Sequence, residues 1–274
     1  MATSDTVTPV LLRDVAAAEE YRVSRSVASI AHEVRPFTGG MATRSEPGNW
    51  SNGVFGSGWS GEVDPEEFRS IVDWYESAGI EPRFELCPFA DPSLVRLLAE
   101  ERFVPRAFEQ VFFRPLDDGR SLDAPSSAPP SLVIEPVDPG DEAAVDAYAR
   151  LALSGFLPEG DSPSEAALEL SRRVARHPRM IAIVAWLDGE RVAAGALEMA
   201  GDVAAFFGAM TVKSARRRGI QQALLAWRLR RAAEGGAKWA TISGRPGEGT
   251  ERNVRRMGFE VAYTKVVVVR PGPR

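Results

Sequence analysis

The segment 213–225 constrains the fold of this chain more than any other, because a basic turn there joins two apolar patterns of different period. The apolar run 203–212 predicts a strand, and the spacing of apolar residues after Gly219 predicts a helix that ends at Gly235 and Gly236. The first N–H groups of such a helix lack intrahelical partners and lie at the positive end of its dipole. The junction therefore predicts an anion-binding turn, with a solvated helix start as the alternative.

Positive charge is concentrated around this turn. The segment 213–231 carries seven basic residues and no acid, which leaves −12 on the remaining residues, since the net charge is −5. This asymmetry favours a local anion site on an acidic protein over general nucleic-acid binding, which would weaken steeply with salt. In the helix, Arg228, Arg230 and Arg231 are expected on the solvent-exposed side.

The residues after this helix continue the alternation of strand and helix. The segment 238–242 is strand-like, 250–257 predicts a short helix, and the β-branched run 261–269 predicts a buried strand. This order favours an α/β layer with parallel strand pairing across the helices.

With these flanks, the pattern Arg216-x-x-Gly219-x-Gln221 resembles the acyl-CoA-binding half of a GNAT-superfamily N-acetyltransferase, and Arg252-Asn253 and Gly258-Phe259 extend the resemblance. The family has glycine or alanine where this chain has Gln221. The resemblance covers residues 132–269. It implies that acetyl-CoA is the acyl donor and that its pyrophosphate lies at the turn.

The resemblance also implies which residues contact the acyl donor. A backbone N–H in the strand before the turn would polarise the thioester carbonyl, and the turn and a second helix would hold the rest. The residues so assigned are Met210, Thr211, Val212, Arg216, Arg217, Arg218, Gly219, Ile220, Gln221, Thr250 and Asn253. Capping of a helix start is the alternative explanation for Thr250.

Two side chains are candidates for proton transfer. Glu198 interrupts the apolar segment 192–200, which is expected to pair with the acyl-CoA strand, and is the candidate general base; an outward-facing carboxylate is the alternative. Many GNAT enzymes place the acidic tyrosine four residues before the Gly-Phe pair, where this chain has Val254. Tyr263 is the remaining candidate acid, with a core aromatic as the alternative.

The acceptor is predicted to be a primary amine of a small molecule or peptide, because an acidic surface attracts cations. In GNAT folds, the region corresponding to residues 152–161 forms one wall of the acceptor cleft, so Phe156, Glu159 and Asp161 are candidate substrate contacts. The predicted function is acetyl-CoA-dependent N-acetyl transfer by direct attack. A non-catalytic acyl-CoA-binding protein and a transferase that uses another acyl-CoA remain alternatives.

A repeat divides the chain into two domains. The segment 117–131 is rich in proline, serine and aspartate and predicts a linker, while Phe103 to Pro115 and Phe259 to Pro271 have the same spacing. The prediction is an α/β (α+β) fold of two tandem GNAT-like domains, each with a mixed, mostly antiparallel sheet flanked by helices. The domains are 1–116, truncated and degenerate, and 132–274, the N-acetyltransferase domain.

The first half has a glycine-rich turn of its own at 56–64, but acids replace the arginines there. Asp64 before Pro65 is typical of a helix N-cap, so this half is not expected to bind CoA. A single cysteine, Cys87, and two histidines without ligand spacing predict neither a disulfide nor a metal site. The chain lacks a signal-like start and an apolar run of membrane-spanning length, which predicts a cytoplasmic protein without membrane partners; a homodimer remains open.

Overall fold

The computed structural model describes residues 9–123, 128–158 and 161–272. The chain divides into two compact units. One runs as far as Val111 and resumes at Val261, and the other is Phe112–Glu260. None of the helices in these described ranges is long and apolar enough to cross a membrane.

The first unit places three helices around strands in the order β1-β2-β3-β4-β11-β5. Its elements are α1 (Pro9–Ile30), β1 (Glu33–Phe37), β2 (Gly40–Arg44), β3 (Gly53–Phe55), α2 (Pro65–Glu76), β4 (Arg83–Leu86), α3 (Pro92–Glu100), most of β5 (Val104–Pro115) and most of β11 (Glu260–Val269). The aromatic core of this unit includes Phe68, Phe84 and Phe103.

The helix after each of the two glycine-rich turns connects a pair of parallel strands. In the first unit, β3 and β4 are parallel and pair at Val54 and Phe84. Asp64 caps α2 by accepting a hydrogen bond from the Glu66 backbone N–H, as the Asp-Pro sequence predicts. The final strand β11 is antiparallel to β4, with Val266 opposite Leu86.

The second unit has strands in the order β10-β9-β8-β7-β6. Its elements are β6 (Leu132–Pro136), α4 (Glu142–Ser154), α5 (Glu165–Arg176), β7 (Met180–Leu187), β8 (Glu190–Ala200), β9 (Val203–Thr211), α6 (Ile220–Glu234), β10 (Trp239–Gly244) and α7 (Gly249–Arg256). The strands β6 to β9 are antiparallel neighbours, and α6 crosses over to β10, which is parallel to β9.

Helices cover both faces of the strands of the second unit. On one face, Tyr148 of α4 packs with Ala194 and Met210. On the opposite face, Leu224 of α6 packs with Ile183 and other apolar residues. Each face is therefore part of the hydrophobic core.

Arg228 corrects one expectation from the sequence. The sequence predicts it on the solvent side of α6, whereas its side chain has no exposed surface. Arg228 lies four residues after buried Leu224 and thus on the same face of the helix. Arg230 and Arg231 are exposed, as predicted.

The compact units and the repeat divide the chain differently at its end. The repeat assigned residues 261–269 to the second domain, whereas β11 from Val261 onward belongs to the first compact unit. The reason is pairing: β11 lies between β4 and β5 in the strand order. The domain bounds drawn from the repeat stay a prediction.

Candidate functional site

The basic turn of the second unit has an unusual backbone. After β9, residues Lys213–Ala215 form a 3-10 turn, and α6 begins at Ile220. Arg217 has φ of +63° and Gly219 has φ of +76°, both in the left-handed region. Gly219 adopts this conformation without a steric cost, whereas an arginine does not. Backbone in this conformation directs successive N–H groups toward one point, which suits an anion.

Two hydrogen bonds fix this turn to the end of β9. Gln221 donates through Nε2 to Thr211 Oγ1 at 2.6 Å, and Arg216 donates through Nε to the Thr211 carbonyl oxygen at 3.1 Å. The side chains of Arg216, Arg217 and Arg218 are exposed. The cationic groups therefore stand at the start of α6, where its helix dipole also favours an anion.

Before it reaches the turn, β9 loses its pairing with β10, while its pairing with β8 continues to Thr211 across an irregularity. Its parallel pairing with β10 ends at Phe206 opposite Ile242, although β9 continues to Thr211. Its pairing with β8 shifts register between Ala194 and Ala196. Gly208, with φ of +62°, lies in this irregular stretch. A bulge of this kind changes the direction of the backbone N–H and C=O groups and is common beside functional sites.

The end of α4 packs closely on the end of β9. A Cβ atom built on Gly155 would lie 2.5 Å from Met210 Cβ, so only glycine fits there. This contact brings the residue that follows, Phe156, next to the Met210 region, with 68% of its surface exposed. Asp161 is also exposed. Glu159, the third predicted substrate contact, lies outside the described residues.

The second predicted contact segment lies on α7. A Cβ atom built on Gly244, at the end of β10, would lie 3.1 Å from Thr250 Cγ2. Thr250 therefore packs on the end of β10. Asn253 follows one turn later and is partly exposed. Val254 is buried in the position where many GNAT enzymes have a tyrosine.

Glu198 is not brought to the turn. It is fully buried on β8, opposite Ala205, and forms an ion pair with Arg179 at 3.2 Å between Nη2 and Oε1. Ala205 lies five residues before Met210 on β9, which corresponds to roughly 16 Å along a strand. A general base must reach the attacking amine by a hydrogen bond or one water, and this placement does not provide that reach to the end of β9.

Tyr263 belongs to the first unit rather than to the unit that contains the turn. It is buried on β11 and donates a hydrogen bond of 2.7 Å to Glu20 Oε1. Lys265 Nζ lies 3.0 Å from the same carboxylate oxygen. Burial, with the Glu20 charge second, raises the pKa of Tyr263 well above its ordinary value. The Tyr263 hydroxyl is therefore part of a buried cluster with the ion pair of Glu20 and Lys265.

The glycine turn of the first unit is filled by protein. A Cβ atom built on Gly56 would lie 2.4 Å from the Glu20 carbonyl oxygen of α1. The guanidinium of Arg13, also on α1, lies 5.5 Å from the centre of the Trp59 ring in the same turn. Helix α1 thus packs on the turn that corresponds to 213–219 in the repeat. Cys87, which directly follows β4, is buried, and burial raises its pKa to about 12.

Sequence reasoning missed two polar residues beside the bulge of β9. Tyr148 of α4 places its hydroxyl oxygen 3.8 Å from a Cβ atom built on Gly208. Arg228 of α6 places its Cζ 3.6 Å from a Cβ atom built on Gly195. Gly208 inside an apolar run was the available signal, because a glycine in a strand often marks a bulge.

Comparison with known proteins defines the fold. No family model and no curated protein matches the sequence. Among solved structures, the chain is similar to a GCN5-related N-acetyltransferase from Kribbella flavida, at 20% identity and a TM-score of 0.68, over 93% of this chain and 96% of that one. A GCN5-related N-acetyltransferase from Sphaerobacter thermophilus matches at 18% identity and a TM-score of 0.57, over 81% and 73%.

A tandem GNAT protein from the clavulanic acid biosynthesis pathway is also similar, at 16% identity and a TM-score of 0.57, over 76% of this chain and 70% of that one. The predicted fold is confirmed: this chain has the fold of tandem GNAT-superfamily acetyltransferases, with mixed α/β architecture and mostly antiparallel strand pairing.

Proposed function

We propose that this protein is an acetyl-CoA-dependent N-acetyltransferase whose second unit binds the acyl donor and a primary amine. The observation that carries this proposal is the turn between β9 and α6, where exposed arginines surround left-handed backbone at a helix start. Pyrophosphate is the group that such a site fits best, since it accepts hydrogen bonds from both backbone and guanidinium donors.

The parting of β9 from β10 supports the rest of the donor site. Beyond Phe206 and Ile242 the two parallel strands no longer pair, so the β9 backbone is free to pair with the amide groups of a pantetheine arm. Met210, Thr211 and Val212 would supply that backbone. Arg216 to Gln221 would hold the pyrophosphate, and Thr250 and Asn253 would contact the donor from α7.

The acceptor amine would approach from the end of α4. Gly155 packs on Met210 so closely that Phe156 follows directly beside the expected position of the thioester. An exposed aromatic side chain suits an amine through its ring face. Phe156 and Asp161 are thus the described candidates for acceptor contact, and a small-molecule or peptide amine is the proposed class.

Direct transfer requires that the amine nitrogen attack the thioester carbon as a free base. Glu198 and Tyr263 are left out of this proposal because the first is ion-paired with Arg179 on β8, opposite Ala205, and the second donates its hydroxyl hydrogen bond to Glu20. An amine that loses its proton to solvent before attack needs no side-chain base, provided that the site polarises the carbonyl.

Buried Val254 favours a second candidate function, a protein that binds acyl-CoA without turnover. Release of free CoA thiol, measured with acetyl-CoA against a panel of primary amines, separates the two. Turnover with any amine supports the transferase. Saturable acetyl-CoA binding with no thiol release above buffer supports the binding protein, and another acyl-CoA that is turned over faster would replace the acetyl assignment.

A further inference from the structure

Arg228 is a buried cation that lacks a carboxylate partner in the described part of the chain. Its Nε donates to the Leu224 carbonyl oxygen at 3.1 Å and its Nη1 to the Ala196 carbonyl oxygen at 3.3 Å. Its Nη2 is buried without a hydrogen-bond partner among the described residues. The ring of Phe206 lies 5.1 Å from the guanidinium carbon. Buried charges in proteins are normally neutralised, so an uncompensated one requires an explanation.

Tyr148 approaches the same bulge from the other face of the sheet. It is 2% exposed, and its hydroxyl lies 3.8 Å from the Cβ position of Gly208. Burial raises the pKa of Tyr148, and the charge of Arg228 opposes that effect. Burial therefore favours the protonated form of this hydroxyl. The protonated hydroxyl is suited to donate a hydrogen bond and unsuited to give up its proton.

Two glycines in the bulge allow the Arg228 guanidinium and the Tyr148 hydroxyl to lie close to the strand backbone. Gly195 on β8 and Gly208 on β9 lie in the stretch where the β8–β9 register shifts. A Cβ atom on Gly195 would lie 3.6 Å from the Arg228 guanidinium, so a side chain there would take up the space beside it. The same stretch of β9 has already parted from β10 at Phe206. Positive potential and a hydroxyl donor are thus concentrated at an open length of backbone.

We propose that Tyr148 donates a hydrogen bond to the thioester oxygen of the bound acyl donor and that Arg228 stabilises the negative charge that forms on this oxygen. The inference rests on the proposed function and adds residues to its site. Tyr148 would be a catalytic residue. Arg228 would act through the bulge backbone and the Tyr148 hydroxyl, as a positioning and electrostatic residue.

The step balances without a further reactant. The amine lone pair forms the C–N bond while the carbonyl π pair moves onto oxygen, where Tyr148 and Arg228 stabilise it. Return of that pair breaks the C–S bond and expels CoA thiolate. The proton lost by the nitrogen passes to solvent, and the thiolate is protonated from solvent. The hydrogen bond already polarises the carbonyl in the bound thioester, but the negative charge on oxygen is largest in the transition state, so the pair accelerates the step far more than it tightens donor binding.

The decisive test measures the carbonyl directly. Acetyl-CoA carrying ¹³C at the carbonyl is added to the whole protein, and the infrared band of the bound thioester is compared in wild type, Y148F and R228M. The control is Y75F, which removes a hydroxyl that is buried in the first unit and hydrogen-bonded to the Thr43 backbone. Calorimetry on the same samples gives the dissociation constant for acetyl-CoA.

We expect the wild-type band to lie at lower wavenumber than in solution and to move back toward the solution value in Y148F and R228M, while Y75F keeps the wild-type band. Donor affinity should change less than about threefold, and kcat with an amine that wild type acetylates should fall about 100-fold in Y148F. An unchanged band in Y148F, with acetyl-CoA still bound, would overturn the inference alone. Absence of acetyl-CoA binding in wild type would instead overturn the proposed function.

Discussion

Replacing Arg228 by methionine should cost the protein little stability, although the side chain lies in the centre of the second unit. Burial lowers the pKa of Arg228 from its ordinary value to about 10, which corresponds to about 3 kcal/mol against the charged form. Methionine removes that cost and fills similar space beside Phe206. It also removes two hydrogen bonds to backbone carbonyls, together about 3 kcal/mol. The opposing effects nearly cancel.

Thermal unfolding of R228M should therefore stay within about 5 °C of wild type, which corresponds to less than about 1.5 kcal/mol. The matched comparison is L229A, on the same helix and fully buried, where loss of packing should cost about 3 kcal/mol. If R228M loses as much stability as L229A, Arg228 serves the fold. That result would mean that the protein does not retain this uncompensated charge for function.

Three further variants or measurements test the geometry around the site. G208A should lower the free energy of unfolding by about 1–2 kcal/mol, because alanine is strained at a φ of +62°; unchanged thermal unfolding would contradict this. G155A should lower the melting temperature and raise the KM for the amine, since its Cβ would meet Met210 at 2.5 Å, whereas G249A, with nothing within 4 Å, should do neither. Cys87, with a pKa raised to about 12, stays protonated at pH 8 and should react with iodoacetamide only after denaturation; rapid labelling of the native protein would count against its burial.

The local elements of the fold follow from the sequence because their causes are local. The apolar run before the turn, the helical spacing after it and the glycines at 235 and 236 predict β9 and α6 with bounds that the structure matches closely. Asp64 before Pro65 predicts the cap of α2 for the same reason. The position of β11 could not be predicted in this way, because it depends on pairing between Val266 and Leu86, which are far apart in the chain.

In the candidate site, too, the features with local causes can be predicted from the sequence, whereas those that depend on strand pairing cannot. The turn from Arg216 to Gly219 is visible as a motif. The charge of Arg228 predicts an exposed side chain, whereas its spacing of four residues from buried Leu224 indicates the buried face of α6. The bulge at Gly208 arises from a shift in the pairing register between β8 and β9. That register depends on which β8 residues lie opposite β9, so the residues of β9 alone do not predict it.

Calorimetric titration of acetyl-CoA tests the central claim, that the second unit alone carries a donor site at the β9–α6 turn. The comparison uses wild type, R217G and R230A. In R217G, glycine accepts the φ of +63° at position 217, and one positive charge is lost at the turn. R230A also removes one positive charge, but farther along α6. We predict one molecule bound per chain, with affinity reduced at least tenfold in R217G and unchanged in R230A. Two molecules per chain, or equal affinity in wild type and R217G, would contradict the account.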